Sequence, residues 1–258
     1  MNSKTKRILM IVSLIVTLAV NGLANTLPIN GLTTGEVSDR YPVLFVPAGY
    51  VFSIWGLIYL SLIVFAIYIV TKRGMVNGKI DSIAWWFVAA NILNAAWVFF
   101  WHYELFPITL IVMLGLLVSL IAIYLKLGVG KTKRDLVEKL TVATPFSIYL
   151  GWITVATVAN VAQLLYVSGW RGGPISQPAW TVIMLVIGAV LGVLMIFLRS
   201  EVSYPLVLTW AFVGIWVKQQ GNTDVVAITA LILAILIAAL AIGRALFYKP
   251  KMPEVISE

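Results

Sequence analysis

The chain has 258 residues, of which 61% are hydrophobic and only 11% are charged. Soluble globular domains carry roughly 25% charged residues, so the composition argues against an ordinary water-soluble fold. There are no cysteines, which excludes disulfides, thiolate metal sites and thiol nucleophiles. The net charge of +8 is spread over short loops between apolar runs, so it favours a membrane protein, and we predict no nucleic-acid partner.

The predicted elements are eight membrane-spanning helices, because several apolar runs reach about 20 residues, the length that crosses a ~30 Å hydrocarbon core. In chain order the predicted spans are residues 8–27, 50–71, 83–101, 108–125, 140–166, 179–198, 202–217 and 225–247. A signal peptide is the alternative for the first span, since Lys4, Lys6 and Arg7 precede it, but no clean small-residue cleavage site follows and the apolar run is long. The seventh span is the shortest. The predicted fold class is all-α, a polytopic transmembrane helical bundle.

The lysines and arginines divide unequally between the two sets of loops that eight spans create. One set, which includes both termini, holds 15 of the 18, and the other holds only Arg40, Arg171 and Lys218. Because cytoplasmic loops are enriched in Lys and Arg, we expect both termini in the cytoplasm. The predicted location is the cell (plasma) membrane, with the lipid bilayer as a partner.

The longest external connection, residues 28–46, lies between the first two spans. Long loops in compact proteins are often functional. Two interpretations stay open, a plain linker and a lid that folds over something on the outer face.

Neutral polar and aromatic residues recur at spacings of three and four within four of the spans, so each set shares one helix face. The sets are Thr17, Asn21 and Asn25; Trp55 and Tyr59; Ala90, Asn94, Trp97 and Trp101; and Tyr149, Trp152, Ala156, Asn160 and Gln163. Amides cannot be left without partners in lipid, so these faces should point inward. Aromatic walls with a few hydrogen-bonding groups suit a flat apolar ligand with polar edges. The alternative, that the amides only join neighbouring helices at about 0.6 kcal/mol each, stays open.

Other aromatic and ionisable residues are expected at the membrane boundaries. Aromatic belts are the expected role of Trp85, Trp86, Trp101, Trp170 and Trp180. His102, the only histidine, is expected to be a solvated loop residue rather than a haem or metal ligand. No acid or base lies near the centre of a span, which argues against proton pumps and ion-coupled transporters.

Three ordered motifs resemble the TspO/MBR family, the tryptophan-rich sensory proteins that include the translocator protein. The second span reads Pro47-Ala-Gly-Tyr-Val-Phe-Ser-Ile-Trp55-Gly-Leu-Ile-Tyr59, the third reads Asn94-Ala-Ala-Trp97-Val-Phe-Phe, and the fifth reads Tyr149-Leu-Gly-Trp152-Ile-Thr-Val-Ala156-Thr-Val-Ala-Asn160. These are similar to the family's Pro-x7-Trp-x3-Tyr, Asn-x2-Trp and Tyr-Leu-x-Trp-x3-Ala-Thr-x2-Asn runs. The chain departs from the family at Val46 and Ile148, where the family has prolines, which affects where helices kink.

The resemblance implies a five-helix core over residues 1–166, with a cavity open toward the first loop. The three further predicted spans form an extension over residues 167–258 that matches none of these motifs. The resemblance also implies binding of porphyrins, haem-like tetrapyrroles, sterols or related hydrophobic drugs, with no cofactor required and a porphyrin or haem as the candidate bound group. Motif matching places Trp55, Asn94, Trp97, Trp152 and Ala156 in the cavity. The helix-face pattern adds Asn21, Tyr59, Tyr149 and Asn160 to this set of ligand-binding candidates.

Three function hypotheses follow from this sequence. The first is a binding or sensory membrane protein for a hydrophobic small molecule of the tetrapyrrole type. The second is a transporter or exporter of a small amphipathic molecule. A porphyrin-modifying enzyme ranks last, because there is no metal constellation, no Ser/His/Asp set and no pair of intramembrane carboxylates. A homodimer is left open as a further partner.

Overall fold

The computed structural model describes residues 2–27 and 29–247, and every regular element in this part of the chain is helical. The predicted all-α membrane bundle is confirmed. Residues 248–258, which hold Lys249, Lys251 and the predicted cytoplasmic C terminus, lie outside the described residues, as does Pro28. The helices are α1 (Ser3–Thr26), α2 (Thr34–Asp39), α3 (Ile54–Tyr68), α4 (Lys72–Met75), α5 (Gly78–His102), α6 (Phe106–Leu127), α7 (Leu136–Glu138), α8 (Thr144–Val167), α9 (Gln177–Arg199), α10 (Ser203–Gln219) and α11 (Asp224–Phe247).

Seven helical segments in the described part of the chain are long and apolar enough to cross a membrane, against the eight spans predicted from the sequence. A helix does lie at each of the eight predicted positions, and the difference rests on α10 alone. That helix has 17 residues, or roughly 25 Å at 1.5 Å per residue, which is short for a ~30 Å hydrocarbon core. Two of the seven include irregular turns: a 3₁₀ turn, Gly49–Ser53, leads into α3, and a π-helical turn, Lys139–Ala143, joins α7 to α8.

Local residues explain where the long helices begin and end. The side chain of Asn2 accepts a hydrogen bond from the Thr5 N–H and caps α1, and Ser176 caps α9 in the same way. Pro107 lies in the first turn of α6, where its missing N–H has no intrahelical partner. The same helix ends at Gly128, whose φ of 68° is readily adopted by glycine.

The three C-terminal helices are joined to the rest of the bundle through α8. α5 packs against α1 and α6, α6 packs against α8, and α8 packs against α10, which in turn contacts α9 and α11. The approach of α8 to α10 is close because Gly151 has no side chain: a Cβ there would lie 3.0 Å from the Tyr204 carbonyl oxygen. One hydrogen bond also joins these two helices, from the Tyr204 hydroxyl to Thr154 Oγ1 at 3.1 Å.

The connections between helices gather at two ends of the bundle, as alternating spans require. At one end Arg40 pairs with Glu104 and Lys218 pairs with Asp39. At the other end Arg7 pairs with Asp81, and Arg73 pairs with Asp135. The second end is the one that carries the excess of lysine and arginine, and we refer to it as the basic end and to the first as the lid end.

The charge division predicts which end faces the cytoplasm. A reporter fused after Glu258 should be cytoplasmic, while a short tag inserted within residues 31–39 should be accessible from outside, because the basic end is retained inside during insertion. Site-directed labelling of intact cells measures both positions. If both tags report the same side, the predicted topology is wrong.

Candidate functional site

The connection between α1 and α3 folds over one end of the bundle, and we call residues 29–47 the lid. Within it α2 begins with a capping box, in which Thr33 Oγ1 accepts from the Glu36 N–H and Glu36 accepts from the Thr33 N–H. Val37 and Phe45 of the lid are buried against the helices. The lid is therefore a packed element with its own secondary structure and not an extended linker.

Polar contacts fix the edges of the lid to the ends of α5 and α6. Arg40 forms an ion pair with Glu104, and the Tyr41 hydroxyl donates to the same carboxylate at 2.7 Å. The Trp101 indole N–H donates to the Thr34 carbonyl oxygen at 3.1 Å. These contacts hold the lid directly above the aromatic residues of α5.

A small cavity lies beneath the lid, between α3, α5 and α8. Five of the predicted ligand-binding residues line it, namely Trp55, Trp97, Trp152, Ala156 and Asn160. The lid contributes Ser38, Val46 and Pro47 to its outer wall. The cavity volume is about 30 Å³, which is room for little more than a water molecule.

Trp55 is the centre of the aromatic cluster around the cavity. Its ring stacks on Tyr59 with centroids 5.4 Å apart, and lies 6.3 Å from Trp97. Tyr149 and Trp152 meet it edge-on at 5.9 Å and 6.1 Å. Aromatic pairs at such separations are worth roughly 0.5–1.5 kcal/mol beyond their burial, so these rings hold one another in place.

The predicted amides lie behind this aromatic layer and connect three helices. The Asn21 amide on α1 donates to Asn94 Oδ1 on α5 at 2.7 Å, and the Asn94 amide donates to the Tyr149 hydroxyl on α8 at 2.8 Å. The Trp97 indole N–H donates to Asn160 Oδ1 at 3.2 Å. Asn21, Asn94 and Tyr149 thus make the helix-to-helix contacts of the packing interpretation, while they support the rings that line the cavity.

Two buried polar groups of α8 have no hydrogen-bond partner among the described residues. One is the indole N–H of Trp152, whose side chain lines the cavity. The other is the Gln163 amide, of which neither the nitrogen nor the oxygen is bonded. Gln163 follows Trp152, Ala156 and Asn160 along one helix face. A buried donor or acceptor without a partner costs roughly 1–3 kcal/mol, which a ligand with complementary polar groups would recover.

Two expectations at the lid end of α5 were wrong. Trp101, expected in an aromatic belt, is only 4% exposed and lines the cavity, whereas Trp85 is 57% exposed as a belt residue would be. His102, expected to be solvated, is completely buried, and its Nδ1 lies 2.7 Å from the Val98 carbonyl oxygen. The physical reason is the lid, which covers this end of α5: the Asn30 amide donates to the His102 carbonyl oxygen at 3.1 Å.

The C-terminal helices contact the site through α10. The Ala48 N–H donates to the Gly214 carbonyl oxygen at 3.1 Å, and the Trp210 indole N–H donates to the Val51 carbonyl oxygen at 3.1 Å. A Cβ at Gly214 would clash with the side chain of Val51, so only glycine allows this approach.

Nearer its C-terminal end, α10 bonds the lid itself. The Gln219 amide donates to the Leu44 carbonyl oxygen at 3.1 Å, and Lys218 pairs with Asp39 at 2.5 Å. The motifs around Trp55 and Trp152 gave no sign of these contacts, because they join residues about 160 to 180 positions apart.

Comparison with known proteins agrees with the motifs and the architecture. A family model described as TSPO-like protein matches residues 7–243, a region that runs from α1 into α11 and includes the helices beyond Tyr166. Searches of curated proteins and of solved structures gave no match. Since the matched region is far more than half of the chain, this membrane protein belongs to the TSPO-like protein family.

Proposed function

We propose that the chain is a binding or sensory membrane protein that holds a flat hydrophobic molecule with polar edges, of the tetrapyrrole class, beneath the lid. Residues 1–166 would form the ligand-binding core, and the extension over residues 167–258 would hold the lid through α10. The resemblance to the TspO/MBR family and the aromatic cluster support the ligand class, because large flat rings gain most from stacking on indoles.

The Trp152 indole carries the proposal. It combines a stacking surface with a buried N–H that has no acceptor among the described residues, and its side chain lines the cavity. A pure packing role would leave this donor unsatisfied at a cost of roughly 1–3 kcal/mol. A ligand with a carbonyl, carboxylate or ring nitrogen at its edge would satisfy it.

Ligand entry requires a rearrangement, because pockets for small molecules are typically about 300–1,000 Å³ and this cavity is about 30 Å³. The lid supplies one wall through Ser38, Val46 and Pro47, so a shift of the lid would enlarge the cavity. The expected bound state therefore has the lid shifted away from α5 to make room, but still closed over the ligand and held by α10, with the rings of Trp55 and Trp152 separated by the ligand.

Titration of the purified protein with metal-free protoporphyrin and with haem tests the proposal. We expect saturable quenching of tryptophan fluorescence by both, with dissociation constants within about threefold, because stacking and edge contacts do not need a metal. His102 does not line the cavity, so we assign it no role as an axial ligand.

Two results would contradict this. Absence of saturable binding by either compound would remove the tetrapyrrole as ligand class. A strong preference for haem that His102→Ala abolishes would replace stacking with metal coordination as the mode of binding.

A further inference from the structure

A second, larger cavity lies at the basic end of the bundle, far from the lid in the fold. Its volume is about 550 Å³, within the range of small-molecule sites. It is bounded by the start of α5, the end of α6 and the segment from Thr132 to the π-helical turn. None of the aromatic motifs contributes to it.

Three cationic side chains line this cavity and only one of them forms an ion pair in the described part of the chain. Arg73 pairs with Asp135. Lys79 Nζ instead donates to the Thr132 hydroxyl at 3.1 Å. Arg134 donates to two backbone carbonyl oxygens at the end of α6, those of Leu127 and Gly128. Lys79 and Arg134 therefore have neutral hydrogen-bond partners, and neither forms an ion pair in the described part of the chain.

The single carboxylate of the cavity wall is already bonded. Glu138 accepts from the Tyr68 hydroxyl at 3.1 Å and from the Asn77 amide at 3.3 Å, both through the same oxygen. Together with Asp135, which pairs with Arg73, it offsets two of the three positive charges and leaves one in excess. The rest of the wall is partly apolar, through Val76, Leu127 and Val142.

We propose that this cavity binds a phosphate group, carried either by an anionic phospholipid of the adjacent leaflet or by a soluble phosphate ester. Cation-lined pockets between transmembrane helices bind anionic headgroups in this way, with the phosphate on the cations and the glycerol and chains on the apolar wall. The excess of lysine and arginine at this end of the bundle would draw such anions toward the cavity.

The test compares two matched pairs of substitutions in the full-length protein. Lys79→Gln with Arg134→Gln removes two charges that line the cavity, and Lys126→Gln with Lys139→Gln removes two exposed charges from the same end that do not line it. Native mass spectrometry measures retention of phosphatidylglycerol against phosphatidylcholine. We expect the cavity pair to reduce phosphatidylglycerol retention about tenfold and the control pair to leave it nearly unchanged. Lys79→Gln alone should show part of the loss with unchanged thermal unfolding, because its one partner is the exposed Thr132.

Calorimetric titration with glycerol 3-phosphate distinguishes the two sources of phosphate. Binding of phosphatidylglycerol without binding of glycerol 3-phosphate assigns the site to a lipid, and tight binding of glycerol 3-phosphate that displaces the lipid assigns it to a soluble ester. Equal losses in the two variant pairs would show a diffuse surface charge effect and overturn the proposal. So would phosphatidylglycerol retention no greater than that of phosphatidylcholine together with no binding of glycerol 3-phosphate.

Discussion

Gly214→Ala is expected to speed the release of a bound porphyrin about tenfold, because the added methyl group would push the segment from Pro47 to Val51 away from α10. The new Cβ would clash with the Val51 side chain and lie 3.0 Å from Pro47 Cβ. Overpacking of this kind costs roughly 1–3 kcal/mol. If this cost destabilises the closed position of the lid, that position becomes less populated and the porphyrin is released faster.

The recovery of tryptophan fluorescence after dilution of the porphyrin complex measures this rate. Gly243→Ala on α11 is the matched control, since a Cβ there meets nothing within 4 Å and the substitution is the same. Melting temperatures of both variants show whether Gly214→Ala acts on the lid or destabilises the whole fold. A lower melting temperature for Gly214→Ala with an unchanged release rate would mean that α10 only stabilises the bundle and does not hold the lid.

The membrane helices could be predicted from sequence because an apolar run of about 20 residues has few other stable environments. The short helix α2 was not predicted, although the spacing of Thr33 and Glu36 is that of a capping box and could have indicated it. α10 was predicted at the right position, but a 17-residue helix cannot be assigned as a full span from hydropathy alone.

The aromatic part of the candidate site could also be predicted, since Trp97 and Trp101 lie four residues apart on one face. What the spacing could not give was the role of Trp101. An indole near a membrane boundary is usually interfacial, and only the lid, by placing the Thr34 carbonyl oxygen on the Trp101 N–H, turns it into a wall of the cavity. The burial of His102 has the same cause, and it could not be predicted from the local sequence either.

The contact between α10 and the lid was beyond any local argument. Glycines are common in transmembrane helices, so Gly214 carries no signal by itself. Its role follows from Val51 and Pro47, which lie more than 160 positions earlier and reach it only in the folded chain. The excess of lysine and arginine at one end of the bundle could be counted in the sequence. The cavity that Lys79 and Arg134 line could not be predicted from it.

Trp152→Phe and Ala156→Leu are expected to weaken porphyrin binding while leaving the fold stable, which distinguishes a ligand pocket from simple helix packing. Trp152→Phe keeps an apolar ring but loses the unpartnered N–H and part of the stacking surface. Affinity should fall by about 1–2 kcal/mol, or roughly 5- to 30-fold, from one hydrogen bond and lost aromatic contact. Ala156→Leu should fill space on the same face one turn away, where the ligand would lie, and reduce affinity by a similar factor.

Matched substitutions are available for both changes. Ala162→Leu lies on the same helix as Ala156 but borders a different cavity, of about 340 Å³, so it has room for the larger side chain. Trp85→Phe changes an exposed indole that contributes nothing to the site. Neither control should alter porphyrin affinity, and all four variants are measured by fluorescence titration and thermal unfolding under one set of conditions.

The packing interpretation predicts the reverse order of effects. If Trp152 and Ala156 only join helices, both substitutions lower the melting temperature in detergent, and Ala156→Leu does so more, because a larger side chain at a helix contact overpacks it. Porphyrin affinity would then stay at the wild-type value. Trp152→Phe would in that case also remove a buried N–H that has no acceptor among the described residues. The substitution would therefore cost less stability than its lost ring area implies. Loss of stability with unchanged affinity in both variants would refute the pocket, whereas weaker binding with the melting temperature preserved would place the ligand against these two residues.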